Sequence, residues 1–173
     1  MRSGKENRLF FMLMVFFIPV FSVAQQRYEE LSGIDRFIER ADSLFMRSQN
    51  TFVLNKYIDD TTVYKEKWHY LVNKGKILSF EVNFSIDSTE FTEVYYVDRN
   101  RLLCSEEYET VNFSYLEDEL KWGGIYYYVS AIPVRVVTLG KKPLYDREPP
   151  ASVALNRFEK RYSELQKHLP MLP

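Results

Sequence analysis

Apolar side chains recur along this chain at two rhythms. In residues 31–45, Leu31, Ile34, Phe37, Ile38, Ala41, Leu44 and Phe45 step by three and four, with Asp35, Arg36, Glu39, Arg40 and Asp42 mostly between them. A 3.6-residue period gathers such positions on one stripe, so the spacing predicts a core-facing helix that starts near Tyr28, or at Gly33 behind a Ser32 cap, and ends by Asn50. In residues 76–87 the period falls to two: Leu78, Phe80, Val82, Phe84 and Ile86 alternate with Ser79, Glu81, Asn83, Ser85 and Asp87. That alternation predicts a strand with one buried and one wet face, and a sheet open to water on one side is normally antiparallel. Past a connector at residues 146–150, Leu155, Phe158, Tyr162, Leu165 and Leu169 return to steps of three and four and predict a second amphipathic helix, ended by Pro170.

The middle of the chain repeats a short theme. Tyr70-Leu71-Val72, Tyr95-Tyr96-Val97 and Tyr127-Tyr128-Val129 are each followed, after four residues, by Ile77, Leu102 and Val134. Each copy reads as a strand end, a tight turn and a strand start, with Gly75 and Asn100 suited to positive φ. Pro133 lacks a donor, so the third turn is expected to be looser and near an edge. The fold class expected is therefore α+β: an N-terminal helix, an antiparallel β-meander of about six strands, and a C-terminal helix, with the helices packed on one sheet face. The repeat resembles the Tyr-rich, glycine-turn repeats of MORN-type and cell-wall-binding proteins. Those families hold a glycine in every turn and a nearly fixed period, whereas only the first copy has Gly75 and the period drifts, so no function is carried over.

The first 24 residues change what belongs to that fold. Arg2, Lys5 and Arg8 precede an apolar run at residues 9–20, and Ser22-Val23-Ala24 puts small residues before the polar Gln25-Gln26. This is the order of a secretory signal peptide, with cleavage expected after Ala24. An uncleaved anchor fits less well: 16 residues from Leu9 to Ala24 make about 24 Å of helix, against a hydrocarbon core of roughly 30 Å. Residues 1–24 are thus expected to be a signal peptide and residues 25–173 a single α+β domain, exported and periplasmic or secreted, in a bacterium. No membrane span is expected after cleavage. Without Arg2, Lys5, Arg8 and Glu6, 20 basic side chains face 23 acidic ones, which is not the basic excess of a nucleic-acid binder. Cys104 is the single cysteine, so the core must hold by packing, for which 13 Tyr and 13 Phe residues provide material.

Motifs with chemistry are scarce. His69 and His168 lie far apart and away from any spaced carboxylate pair, short of the three or four ligands a zinc site needs. Glu106, Glu107 and Glu109, and again Glu117, Asp118 and Glu119, read as solvated loops, although a carboxylate pair brought to ~5–10 Å would serve glycoside hydrolysis. Asp59-Asp60 reads as a turn. No Gly-x-Ser-x-Gly elbow occurs, Cys104 reads as a buried thiol in a strand, and Gly123-Gly124 is the one adjacent glycine pair. No metal or cofactor is implied. The feature that points to function is aromatic. Taking Tyr127 to share the buried face with Ile125 and Val129 leaves Tyr126 and Tyr128 on the other, joined by Tyr96 through the repeat. The expectation is an outward patch of Tyr96, Tyr126 and Tyr128 edged by Trp122, on a non-catalytic exported domain that contacts a protein partner or glycan of the cell envelope. The alternative is a cell-envelope hydrolase that uses the clustered carboxylates.

Overall fold

A computed structural model describes residues 25, 27–57, 63–111, 119–140 and 150–171. The proposed signal peptide, the Asp59-Asp60 turn, Glu117-Asp118 and residues 146–149 of the connector lie outside the described residues. The internal contacts divide the chain into two compact units, Met1–Phe37 and Ile38–Pro173. A helix, α1, runs over residues 27–45. Its portion in the first unit is tied locally, Arg36 Nε donating to the Ser32 carbonyl at 3.3 Å.

Seven strands follow: β1 (Thr51–Tyr57), β2 (Val63–Asn73), β3 (Lys76–Ile86), β4 (Thr89–Asp98), β5 (Arg101–Val111), β6 (Glu119–Val129) and β7 (Ile132–Gly140). They pair antiparallel in chain order, β1 and β7 at the edges. The chain closes with α2 (Pro150–His168) and a 3₁₀ turn, Leu169–Met171. The α+β class, the meander and the two helices are those the periodicity predicts, with seven strands in place of six. The added strand is β1, where exposed Val53 and Tyr57 fall between half-buried Phe52, Leu54 and Lys56, so both parities carry apolar groups and the two-residue rhythm is blurred.

The three repeats are hairpins built alike. Their turns are Lys74-Gly75, Arg99-Asn100 and Ser130-Ala131, and in each both central residues have positive φ, between 50° and 73°. Turns of that hand match the strand twist. The third is as tight as the others, contrary to expectation. Pro133 lies within edge strand β7, opposite Tyr128, where a missing donor is tolerated. Just before each turn the register shifts, between Leu71 and Val72, Tyr96 and Val97, and Tyr127 and Tyr128. Aligned on their turns, Tyr70, Tyr95 and Tyr126 are equivalent, as are Leu71, Tyr96 and Tyr127. The sequence repeat aligns Tyr127 with Tyr95, one residue out, and a one-residue slip exchanges the two faces.

The core fills the face under α2. Phe80 stacks on Tyr95 (4.8 Å) and Trp68 (6.0 Å), and Phe158 of α2 lies 5.7 Å from Tyr95 and 5.2 Å from Tyr162. Leu165 and Ala154 are fully buried beside them. The end of α1 lies against the same sheet through side chains of alternate parity: the Tyr96 hydroxyl donates to Asp42 Oδ1 at 2.8 Å, and Phe45 sits 3.9 Å from the His69 ring. Tyr95 and Tyr96 thus point to opposite faces, Tyr95 toward α2 and Tyr96 toward Asp42. Ser79 and Cys104, which share the Tyr96 side, are buried.

Candidate functional site

Away from the three turns, α2 and the sheet enclose a cleft of about 520 Å³. Its apolar walls come from Phe84 and Phe91, stacked at 5.0 Å, with Ile86, Val153 and the half-buried Trp122. Tyr126 lies fully buried at its inner edge. The glycine pair makes room for these rings. A Cβ on Gly124 would overlap the Tyr126 hydroxyl, and one on Gly123 would stand 3.3 Å from the Tyr108 ring on the other face. Gly123-Gly124 is therefore a packing device in β6.

The polar part of the cleft is an ion network. Arg157, Arg161 and Glu164 follow at steps of four and three on α2, one stripe beside the apolar stripe of Phe158, Tyr162 and Leu165. Arg161 donates through Nε to Glu93 Oε2 (2.7 Å) and through Nη1 to Glu66 Oε1 (2.5 Å). Arg157 Nη1 lies 2.9 Å from Glu107 Oε1, and its Nε lies 3.7 Å from Glu93 Oε1. Neutral donors complete the set: Trp68 Nε1 to Glu66 Oε2 at 3.2 Å and the Tyr95 hydroxyl to Glu93 Oε2 at 3.1 Å. Lys56 pairs with Glu164 and stands 3.9 Å from Glu66 Oε2. Burial works against charge on both arginines. For Arg157 the charges of Glu107 and Glu93 more than offset it, and for Arg161 the hydrogen bonds and charges of Glu93 and Glu66 do, so both guanidinium pKa values are raised. Burial, then Glu93, push the Tyr95 phenol well up. A buried carboxylate needs such partners, because one left alone is strongly destabilising.

The acidic run of β5 is thus a strand, not a solvated loop. Glu107 and Glu109 line the cleft, while Glu106 alternates to the other face, where the Tyr108 hydroxyl donates to it at 2.7 Å. Glu107 also stands directly opposite Glu93 in the β4–β5 ladder. Glu119 begins β6. His69 donates through Nε2 to the Ser48 carbonyl, 2.9 Å away, and His168 in the last turn of α2 faces the Phe52 ring at 5.6 Å. Among the described residues, no three His, Cys, Asp or Glu side chains are grouped to hold a metal ion, and no helix is long and apolar enough to cross a membrane.

The expected outward patch does not form. Tyr126 and Tyr128 do share a face, but it is the inward one: both are fully buried, and the Tyr128 hydroxyl donates to the Ala151 carbonyl of α2 at 2.8 Å. Tyr96 is buried on the opposite face. The cause is the one-residue offset of the third repeat together with α2, which covers the face taken as wet. Trp122 and Tyr126 meet again at the cleft, and Tyr96 and Tyr128 do not join them. Glu66, Glu93, Arg157 and Arg161 were not anticipated as a site. Their signal is present: Tyr64, Glu66, Trp68 and Tyr70 alternate on a face dominated by large rings, and a glutamate there calls for a cation, which the Arg157–Arg161 pair supplies. No protein-family model, no curated protein and no solved structure matches the chain.

Proposed function

We propose that this chain is an exported, non-catalytic binding module of a bacterial cell envelope, periplasmic or secreted, that holds a glycan or a segment of a protein partner in the cleft between α2 and the sheet. The observation that carries the reading is the cleft itself: aromatic and aliphatic walls around Glu93 and Glu107, which Arg157 and Arg161 already engage. Pockets that bind small ligands combine mostly apolar walls with a few fixed polar groups, and a flat ring such as Trp122 suits the apolar face of a sugar or a side chain. The export pattern of residues 1–24 supports the envelope as its place of work. Lining charges balance, with Lys56, Arg157, Lys160 and Arg161 against Glu93, Glu107, Glu109 and Glu164, which favours a neutral or zwitterionic ligand over a polyanion.

The test is retention of solubilised cell-wall glycan fragments and envelope proteins on immobilised protein. Trp122→Ala is expected to lose retention by tenfold or more, about 1.4 kcal/mol, with an unchanged urea midpoint. Full retention by Trp122→Ala would rule out the cleft. One observation favours a second reading, a hydrolase: Glu93 and Glu107 are directly opposed inside the cleft, where cross-strand Cβ atoms lie ~4.5–5.5 Å apart. Hydrolysis of those fragments by the wild type, abolished in Glu107→Gln, would establish that reading instead.

A further inference from the structure

Most of the charges that line the cleft cancel one another. Lys56 pairs with Glu164, Arg157 with Glu107, and Arg161 with Glu93. Glu109 and Lys160 line the same cleft, and neither has an ion pair among the described residues. Glu109 stands opposite Phe91 of β4 on one side and Trp122 of β6 on the other, and Phe91 stands opposite Phe84 of β3. Phe84, Phe91, Glu109 and Trp122 thus form one row across four strands, on the face under α2, and all four are half-buried. Cβ atoms of directly opposed residues lie ~4.5–5.5 Å apart, so a ring flanks the carboxylate on either side. A metal ion needs several oxygen ligands, which one carboxylate between rings does not offer. An ammonium on an apolar stem fits better. The carboxylate takes its charge, the rings attract a cation, and the methylenes cover the walls.

We infer that this row binds the lysine-type ammonium side chain of a peptide, with Glu109 as its acceptor and Lys160 meeting a carboxylate of the same ligand. The inference rests on the cleft being a binding site and names the class of ligand. The hydroxyls of a neutral sugar would leave both Glu109 and Lys160 without an opposite charge, whereas a peptide with one ammonium and one carboxylate neutralises both. Glu109 is the residue that selects the cation. As a ligand fills the cleft, the half-buried carboxylate loses water, and that cost is offset only by a charged or hydrogen-bonding partner. Glu93 and Glu107 are already held by Arg161 and Arg157.

Three probes test it: acetyl-alanyl-lysyl-alanine with a free carboxylate, its norleucyl analogue, which keeps the stem and lacks the ammonium, and chitotriose as a neutral glycan. Each is titrated into the purified protein to about 10 mM, which reads Kd values of about 1 mM or tighter, while the Trp122 indole N–H resonance is followed. The lysyl peptide is expected to shift it saturably and to bind at least about tenfold more tightly than the norleucyl peptide, the scale of a hydrogen bond to a charged group. Glu109→Gln is expected to bring both peptides to the norleucyl level with an unchanged urea midpoint. Lys160→Gln is expected to weaken both alike, because both keep the carboxylate. Equal binding of the two peptides by the wild type, or discrimination that survives in Glu109→Gln, would overturn the inference and leave the cleft as a binding site. A shift with chitotriose and with neither peptide would overturn it and assign the cleft to a glycan. No shift with any probe would overturn it together with the reading of the cleft.

Discussion

Glu106 and Arg161 show how the two faces of the sheet treat charge. Burial pushes the Glu106 pKa up, the hydrogen bond from Tyr108 pulls it back in part, and Asp42 adds to the rise. The folded protein thus holds this proton more tightly than the unfolded chain does. That contribution to stability is fully present below the unfolded carboxyl pKa and is lost as pH rises through the folded value. Glu106→Gln cannot ionise and keeps an acceptor for Tyr108. It is therefore expected to raise the melting temperature at pH 7 and to change it little at pH 4, and an equal shift at both would contradict the assignment. Under α2 the carboxylates are instead matched by arginines. Arg161→Ala would leave Glu66 and Glu93 buried, at 0% and 3% exposure, without their main cation, and is expected to cost roughly 3–5 kcal/mol in urea melts. A cost below about 1 kcal/mol would place the pair among surface ion pairs. The alternation of Glu66 with Tyr64, Trp68 and Tyr70 marks its buried face in the sequence, whereas Glu106 stands in a run of acidic residues that carries no sign of which face its strand buries.

At the scale of elements, what could be read was the period and what could not was the phase. The stripe of α2 and the alternation of β3 depend on local spacing, and both are found where spacing put them. In β3, Phe80 and Val82 are fully buried. The faces of β6 depend instead on the bulge between Tyr127 and Tyr128, which no residue type announces, so alternation puts Tyr126 and Tyr128 on one face but does not say that this face is the buried one. β1 escaped because its apolar groups fall on both parities. The two-residue turns give a direct check of the register. Ala131 holds φ at 65°, a left-handed conformation that costs a residue with a Cβ roughly 1–2 kcal/mol. Ala131→Gly is expected to stabilise the protein by about 1 kcal/mol, and Gly75→Ala to destabilise it by a similar amount. A loss of stability in Ala131→Gly would mean that the third hairpin turns elsewhere.

For the whole molecule, aromatic rings make the core, and Tyr126 and Tyr128 of the expected patch belong to it. Phe80, Tyr95, Trp68, Phe158 and Tyr162 form one stacked layer, and Tyr128 ties the sheet to α2 through Ala151. Changing Tyr96 and Tyr128 together to Ser is accordingly expected to unfold the domain, since truncating a buried aromatic typically costs ~3–5 kcal/mol. A double variant that kept its urea midpoint would contradict the burial of both rings. The cleft beside Trp122 flanks this layer, which follows α2 from Ala151 to Leu165.

The two tryptophans allow that cleft to be observed directly. Trp68 is buried with its indole N–H bonded to Glu66, whereas Trp122 lines the opening. Two indole N–H resonances are expected in a ¹H–¹⁵N spectrum, to be followed while cell-wall glycan fragments and envelope peptides are added. A saturable shift of the Trp122 resonance is expected, with Trp68 unmoved. Saturable shifts on other surfaces with Trp122 unmoved would contradict it.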